Sequence, residues 1–147
     1  MNVIIRKAET SDIPQILDLY AELQPLDTLI EESMARSVFE QANKCGVTYF
    51  VADIDGRIAG TCYIAIIPNI TRQCSPIGFI ENVVTSGDYR RLGIGRKLMD
   101  SAVEFARECD CYKVTLQSGI KREEAHKFYE SVGFDGDSKR GFEIRLK

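Results

Sequence analysis

The run Arg90-Arg91-Leu92-Gly93-Ile94-Gly95-Arg96-Lys97 places four cations and two glycines within eight residues. It follows an apolar, strand-like run, Phe79 to Thr85, and precedes a helical run, Leu98 to Glu108. The first turn of a helix carries N–H groups without intrahelical acceptors and the positive end of the macrodipole. Glycine lets backbone approach a ligand closely, and arginine adds forked, charge-assisted donors. At a strand-to-helix junction these residue types suit a diphosphate. The plainer reading is a basic helix start with a glycine hinge.

Two familiar phosphate loops are excluded. No Gly-x-x-x-x-Gly-Lys-Ser/Thr run occurs, and a dinucleotide fingerprint would need glycine where Leu98 stands. The chain has 147 residues and a net charge of -3, so its basic character is local to the loop. That balance argues against nucleic acid or an anionic membrane as partner and for a small polyanion. The longest apolar run, Ile58 to Ile67, is too short to span a bilayer, and Met1 to Thr10 lacks a signal-like apolar stretch. Five cysteines and one histidine give no metal-site spacing, so no metal is expected. Reduced thiols in the cytoplasm are the expectation.

The elements that must position the loop follow from periodicity. Val3 to Arg6 reads as a strand, and Thr10, Ser11 and Asp12 offer caps for a helix with Ile13, Ile16, Leu17 and Tyr20 inward. A second helix spans about Glu31 to Asn43, with Met34, Val38 and Ala42 inward, and stops at Cys45-Gly46. Val47 to Asp53 and Arg57 to Ile67 form a hairpin turning at Asp55-Gly56. Pro68 to Gly78 is a loop, and Phe79 to Thr85 the strand feeding the glycines. Leu98, Met99, Ala102 and Ala106 mark one helix face; Tyr112 to Gln117 is a strand; Glu123 to Val132 is a helix capped at Gly133. Phe134 and Phe142 to Leu146 supply closing strand material. The order predicts one α/β domain over residues 1–147, a mixed sheet flanked by helices.

That order, and three motifs within it, resemble the GNAT N-acetyltransferase superfamily. Ile5-Arg6-Lys7-Ala8 through Asp12-Ile13 resembles its first strand and helix. Glu81-Asn82-Val83-Val84-Thr85 with Tyr89-Arg90 to Gly95 resembles its coenzyme-binding core. Ala125-x-x-Phe128-Tyr129-x-x-x-Gly133-Phe134 resembles its fourth motif. Cys111-Tyr112-Lys113-Val114, taken with Ile80-Glu81, is similar to glucosamine-phosphate N-acetyltransferases. Two departures stand out. Arg91 and Leu92 replace the family's usual glycine and polar residue, and Arg122 stands where many members place an asparagine against pantetheine.

The resemblance implies a central, mostly antiparallel sheet and acetyl-CoA as co-substrate, its acetyl group passing directly to a primary amine in a ternary complex. The acceptor would be a small molecule, an amino sugar among the candidates; a protein or peptide amine is the alternative. A non-catalytic acyl-CoA sensor is a third reading. Arg90, Arg91, Leu92, Gly93, Ile94, Gly95 and Arg96 would wrap the pyrophosphate, and Val83 and Val84 would offer backbone groups to pantetheine. Tyr129 would protonate the leaving thiolate, or else pack like Phe128. Glu81 would take the amine proton, or else be an ordinary strand carboxylate; Asn82 faces the other way unless a bulge intervenes. The loops Leu23 to Glu31 and Pro68 to Gly78 are the candidates for the acceptor site; in the second, Asn69, Thr71 and Arg72 would meet the acceptor, or form a surface turn. His126 reads as a surface residue. A homodimer is expected by analogy with relatives.

Overall fold

A computed structural model describes residues 1–147 of the chain. It divides into two compact units, Met1–Thr115 and Leu116–Lys147. A five-stranded sheet runs in the order β1 (Ile4–Lys7), β2 (Val47–Ile54), β3 (Arg57–Ile67), β4 (Ile77–Thr85) and β5 (Lys113–Leu116). The pairs β1–β2, β2–β3 and β3–β4 are antiparallel. Asp55 and Gly56 turn the β2–β3 hairpin, with φ of 52° and 86°. Both central residues of a type I′ turn need such angles, which match the twist of the flanking strands.

Helices cover both faces of the sheet, so β3 reads as an almost unbroken buried run from Ile58 to Ile64. On one face lie α1 (Ile13–Leu23) and α2 (Glu32–Lys44), where Ile13, Ile16, Leu19 and Phe39 pack with Val51, Ile58 and Val84. On the other lies α3 (Ile94–Glu108), which buries Ile94, Leu98, Met99, Ala102 and Ala106. Phe105 meets Phe50 edge to face with ring centroids 5.6 Å apart. Gly60 lets β3 and α3 approach closely: a Cβ there would stand 3.0 Å from Leu98 Cδ1 and 3.0 Å from the Val84 carbonyl oxygen.

The structure corrects four sequence expectations. The inward stripe of α2 is Ala35 and Phe39, while Met34 and Val38 are 63% and 54% exposed. The two stripes are adjacent on one helix, and the Phe39 ring, 5.3 Å from that of Tyr49, fixes which faces the sheet. The last strand does not form: residues 135–147 hold no helix or strand, and Phe142, Ile144 and Leu146 are exposed. Alternating side chains make a strand only where a ladder partner pairs with it. The long helix starts at Ile94 rather than Leu98, so Gly95, Arg96 and Lys97 sit in its first turn. The fourth strand starts at Ile77, and the loop before it closes in a tight turn with Arg72, Gln73 and Cys74 at positive φ.

In the second unit, α4 (Glu123–Ser131) ends at Gly133, whose φ of 104° closes the helix. The Gly133 N–H donates to the Glu130 carbonyl at 3.0 Å and the Phe134 N–H to that of Tyr129 at 3.0 Å.

Candidate active site

The glycine run departs from β4 through Ser86 and a short 3-10 turn, Gly87–Tyr89. Glu22, near the end of α1, holds this entry. Its carboxylate accepts from the Gly87 N–H at 2.9 Å and from the Ser86 hydroxyl at 3.2 Å. Arg91 and Gly93 then take positive φ, 64° and 74°. Gly93 is the N-cap of α3 and no side chain caps the helix. The first intrahelical bond runs from Lys97 N–H to the Gly93 carbonyl at 3.1 Å. The N–H groups ahead of it, from Gly93 to Arg96, therefore have no acceptor within the helix. A Cβ on Gly93 would meet nothing within 4 Å, so the space above the loop is open. Arg90 and Arg91 are exposed and belong to no salt bridge. An uncapped helix start, an open approach and flanking guanidinium groups fit a pyrophosphate.

Beside the loop, β4 is irregular. Tyr63 pairs with Glu81 and Thr61 with Val84, so two β4 residues, Asn82 and Val83, stand opposite Cys62 alone. This is a β-bulge, and Asn82 carries φ of 53°. In a regular strand Glu81 and Val84 would face opposite sides. The extra residue puts both on the face covered by α1, since directly paired residues share a face. The bulge withdraws Asn82 and Val83 from the regular ladder, leaving irregular backbone where a pantetheine arm is expected.

Glu81 ends a row of side chains that the sequence did not reveal. Tyr49 pairs with Tyr63 across β2 and β3, and Tyr63 with Glu81 across β3 and β4. The two rings lie 5.3 Å apart, on the α1 side of the sheet. Burial raises the Tyr49 phenol above its ordinary pKa. Burial, then the Glu81 charge, then Tyr49 raise that of Tyr63. Tyr20 of α1 packs against the same cluster, and burial raises its phenol further. All three remain neutral hydroxyls at working pH. Their only sequence signal is the alternation of β2 and β3, which says that they face one way but not what they face.

The remaining candidates are carried by other elements. Tyr129 lies on α4 in the second unit, half-buried between Phe128 and Phe134 at 5.2 Å and 6.2 Å ring separations. His126 Nε2 lies 2.8 Å from the Gly119 carbonyl, and so braces the turn before α4. The Asn69 amide is engaged within its own loop, donating to the Thr71 carbonyl at 2.9 Å and the Ser75 carbonyl at 3.2 Å. Arg72 lies over the Tyr112 ring at 5.6 Å. The hollow along α2 between Glu32, Arg36 and Glu40 is the surface of a single helix, distant in sequence from the loop, and has none of these groups.

The chain belongs to the acetyltransferase (GNAT) family, whose profile matches residues 13–134. It is therefore an acetyl-CoA-dependent N-acetyltransferase, and its sheet and helices match solved members of that family. It is similar to glucosamine 6-phosphate N-acetyltransferase of Trypanosoma brucei brucei, with 33% identity covering 88% of this chain and 87% of that protein. The crystal structure of glucosamine-6-phosphate N-acetyltransferase from Arabidopsis thaliana superposes with a TM-score of 0.86 at 25% identity, covering 98% of this chain and 99% of that one. N-alpha-acetyltransferase 30 of Xenopus laevis is 37% identical over 92% of this chain, which spans 51% of that protein.

Proposed function

We propose that this enzyme acetylates the primary amine of a small, anionic amino sugar. The observation that carries the reading is the pairing, in one unit, of the uncapped α3 start with the β4 bulge that turns Glu81 and Val84 to one face. The first suits a pyrophosphate and the second places a carboxylate beside irregular backbone. Similarity to two glucosamine 6-phosphate N-acetyltransferases supports the acceptor class.

Acetyl-CoA supplies the activated acyl carbonyl. The acceptor nitrogen must be neutral to attack it, yet a free alkylammonium has a pKa near ~10. Glu81 takes the proton from that nitrogen as the C–N bond forms and the C–S bond breaks. Tyr129 gives its phenolic proton to the departing sulfur, and solvent restores both groups. The N–H groups of Gly93, Ile94 and Gly95 hold the pyrophosphate, with Arg90, Arg91, Leu92 and Arg96 around them. Val83 and Val84 present backbone to the pantetheine. Holding both reactants in line converts a bimolecular encounter into an effectively intramolecular step.

Similarity to N-alpha-acetyltransferase 30 supports a second reading, acetylation of a protein N-terminus. Thiol release from acetyl-CoA, measured with glucosamine 6-phosphate and with a Met-initiated peptide in parallel, separates the two. Turnover of the sugar phosphate alone supports the proposal; turnover of the peptide alone overturns it. A homodimer in the cytoplasm completes the proposal. Five free cysteines support a reducing compartment, and light scattering tests the dimer.

A further inference from the structure

The hydroxyl of Tyr20 is buried and makes no hydrogen bond. Such an orphan is uncommon in a folded interior and calls for a reason. Its ring packs, as that of Tyr49 does, on the cluster that contains Val84 of the bulged strand. The Asn82 side chain is close enough to bias the ionisation of the phenol, yet no bond of good geometry joins them. Asn82 is also the residue of β4 at positive φ. Asparagine accepts that backbone region more readily than most residues, but it still has to be held there.

We propose that Tyr20 is a positioning residue: its hydroxyl, set against the Asn82 side chain, holds the β4 bulge in register and so directs Glu81 into the site. Tyr20 does not touch the reacting atoms, because its oxygen is sealed from solvent. It acts through Asn82 on the direction of Glu81 and Val84. This inference rests on the reading of Glu81 as the base.

The test compares Tyr20→Phe, Asn82→Gly and the double variant with the wild-type protein. Tyr20→Phe keeps the ring and removes only the orphan oxygen, so the melting temperature stays level or rises. Amide hydrogen exchange at residues 81–84 is read first and needs no acceptor. It is faster in Tyr20→Phe, and the double variant exchanges no faster than Asn82→Gly alone. With glucosamine 6-phosphate, kcat falls about tenfold while KM for acetyl-CoA stays within twofold, because the pyrophosphate loop is untouched. Unchanged exchange in Tyr20→Phe, or additive effects in the double variant, would overturn the proposal. Glu81→Gln separates the two readings. If it turns over normally, the base assignment falls and with it the route from Tyr20 to catalysis. If it is impaired while Tyr20→Phe is not, Tyr20 is core packing and the base assignment stands.

Discussion

Tyr129 and Gly93 show how far individual residues carry the chemistry. Tyr129 is packed edge to face with Phe134, so replacing it by phenylalanine preserves the ring contacts. Tyr129→Phe is expected to leave acetyl-CoA affinity within twofold and lower kcat by roughly 100-fold, the scale of a lost general acid. Equilibrium binding reads the first and stopped-flow thiol release the second; unchanged turnover would reduce Tyr129 to a core residue. Gly93 needs its positive φ, but the space above it is open. Gly93→Glu should weaken acetyl-CoA binding more than tenfold by setting a carboxylate where the proposed function seats the pyrophosphate. Gly93→Asn, which tolerates the same φ, should weaken it far less. Equal effects in calorimetry would mean that backbone strain, not charge, is responsible.

At the scale of elements, the site depends on how closely β3, β4 and α3 approach one another. Gly60 sits where a methyl group would press on the Val84 carbonyl, on Leu98 Cδ1 and, at 3.3 Å, on Ile94 Cγ2. The leucine tip could rotate away, whereas the backbone oxygen of the bulged strand cannot. Gly60→Ala is therefore expected to destabilise the fold by about 1–3 kcal/mol, as overpacking does. It should also weaken coenzyme binding, because Ile94 is the first residue of α3. Urea denaturation checks the first effect and calorimetry the second. The same approach was unreadable beforehand: a glycine within a strand-like run signals close backbone contact without naming what comes near.

For the first unit as a whole, stability is tied to pH through one clamp. Arg6 of β1 grips Asp12 with Nη1 at 2.7 Å and Nη2 at 2.9 Å, and reaches Asp53 of β2 with Nε at 3.1 Å. Asp12 is buried and also accepts the Glu9 N–H at 2.7 Å. The hydrogen bonds from Arg6 lead the causes that hold the Asp12 carboxyl below its ordinary pKa, against the opposing effect of burial. A depressed folded pKa stabilises the protein above the unfolded value, near ~4, and that contribution is lost as pH falls toward the folded value. Melting temperature should thus drop between about pH 5 and pH 3 in the wild type, more steeply than in Asp12→Asn. At pH 7 the substitution should cost about 2 kcal/mol. Parallel melting curves for the two proteins across that window would show the clamp to be dispensable.

Much of this arrangement was written in the chain. Arg90 to Lys97 stood out as a candidate anion site because glycine and arginine have local properties that hold in any context, and the Asp55-Gly56 turn and the α3 stripe follow from local periodicity in the same way. The α2 stripe, the closing strand at Phe142 to Leu146 and the bulge at Asn82 did not yield to the same reading. Each depends on a partner remote in sequence: the Tyr49 ring for Phe39, a neighbouring strand for the tail, and Cys62 opposite two residues for the bulge. The row Tyr49–Tyr63–Glu81 was equally hidden, since its three residues lie on three strands and meet only through register. Sequence alone determined that glycines and cations meet at the strand-to-helix junction, because helix-start chemistry is local. Only tertiary structure decided which way Glu81 faces, because one extra residue in β4, paired against β3, reverses a side of the strand.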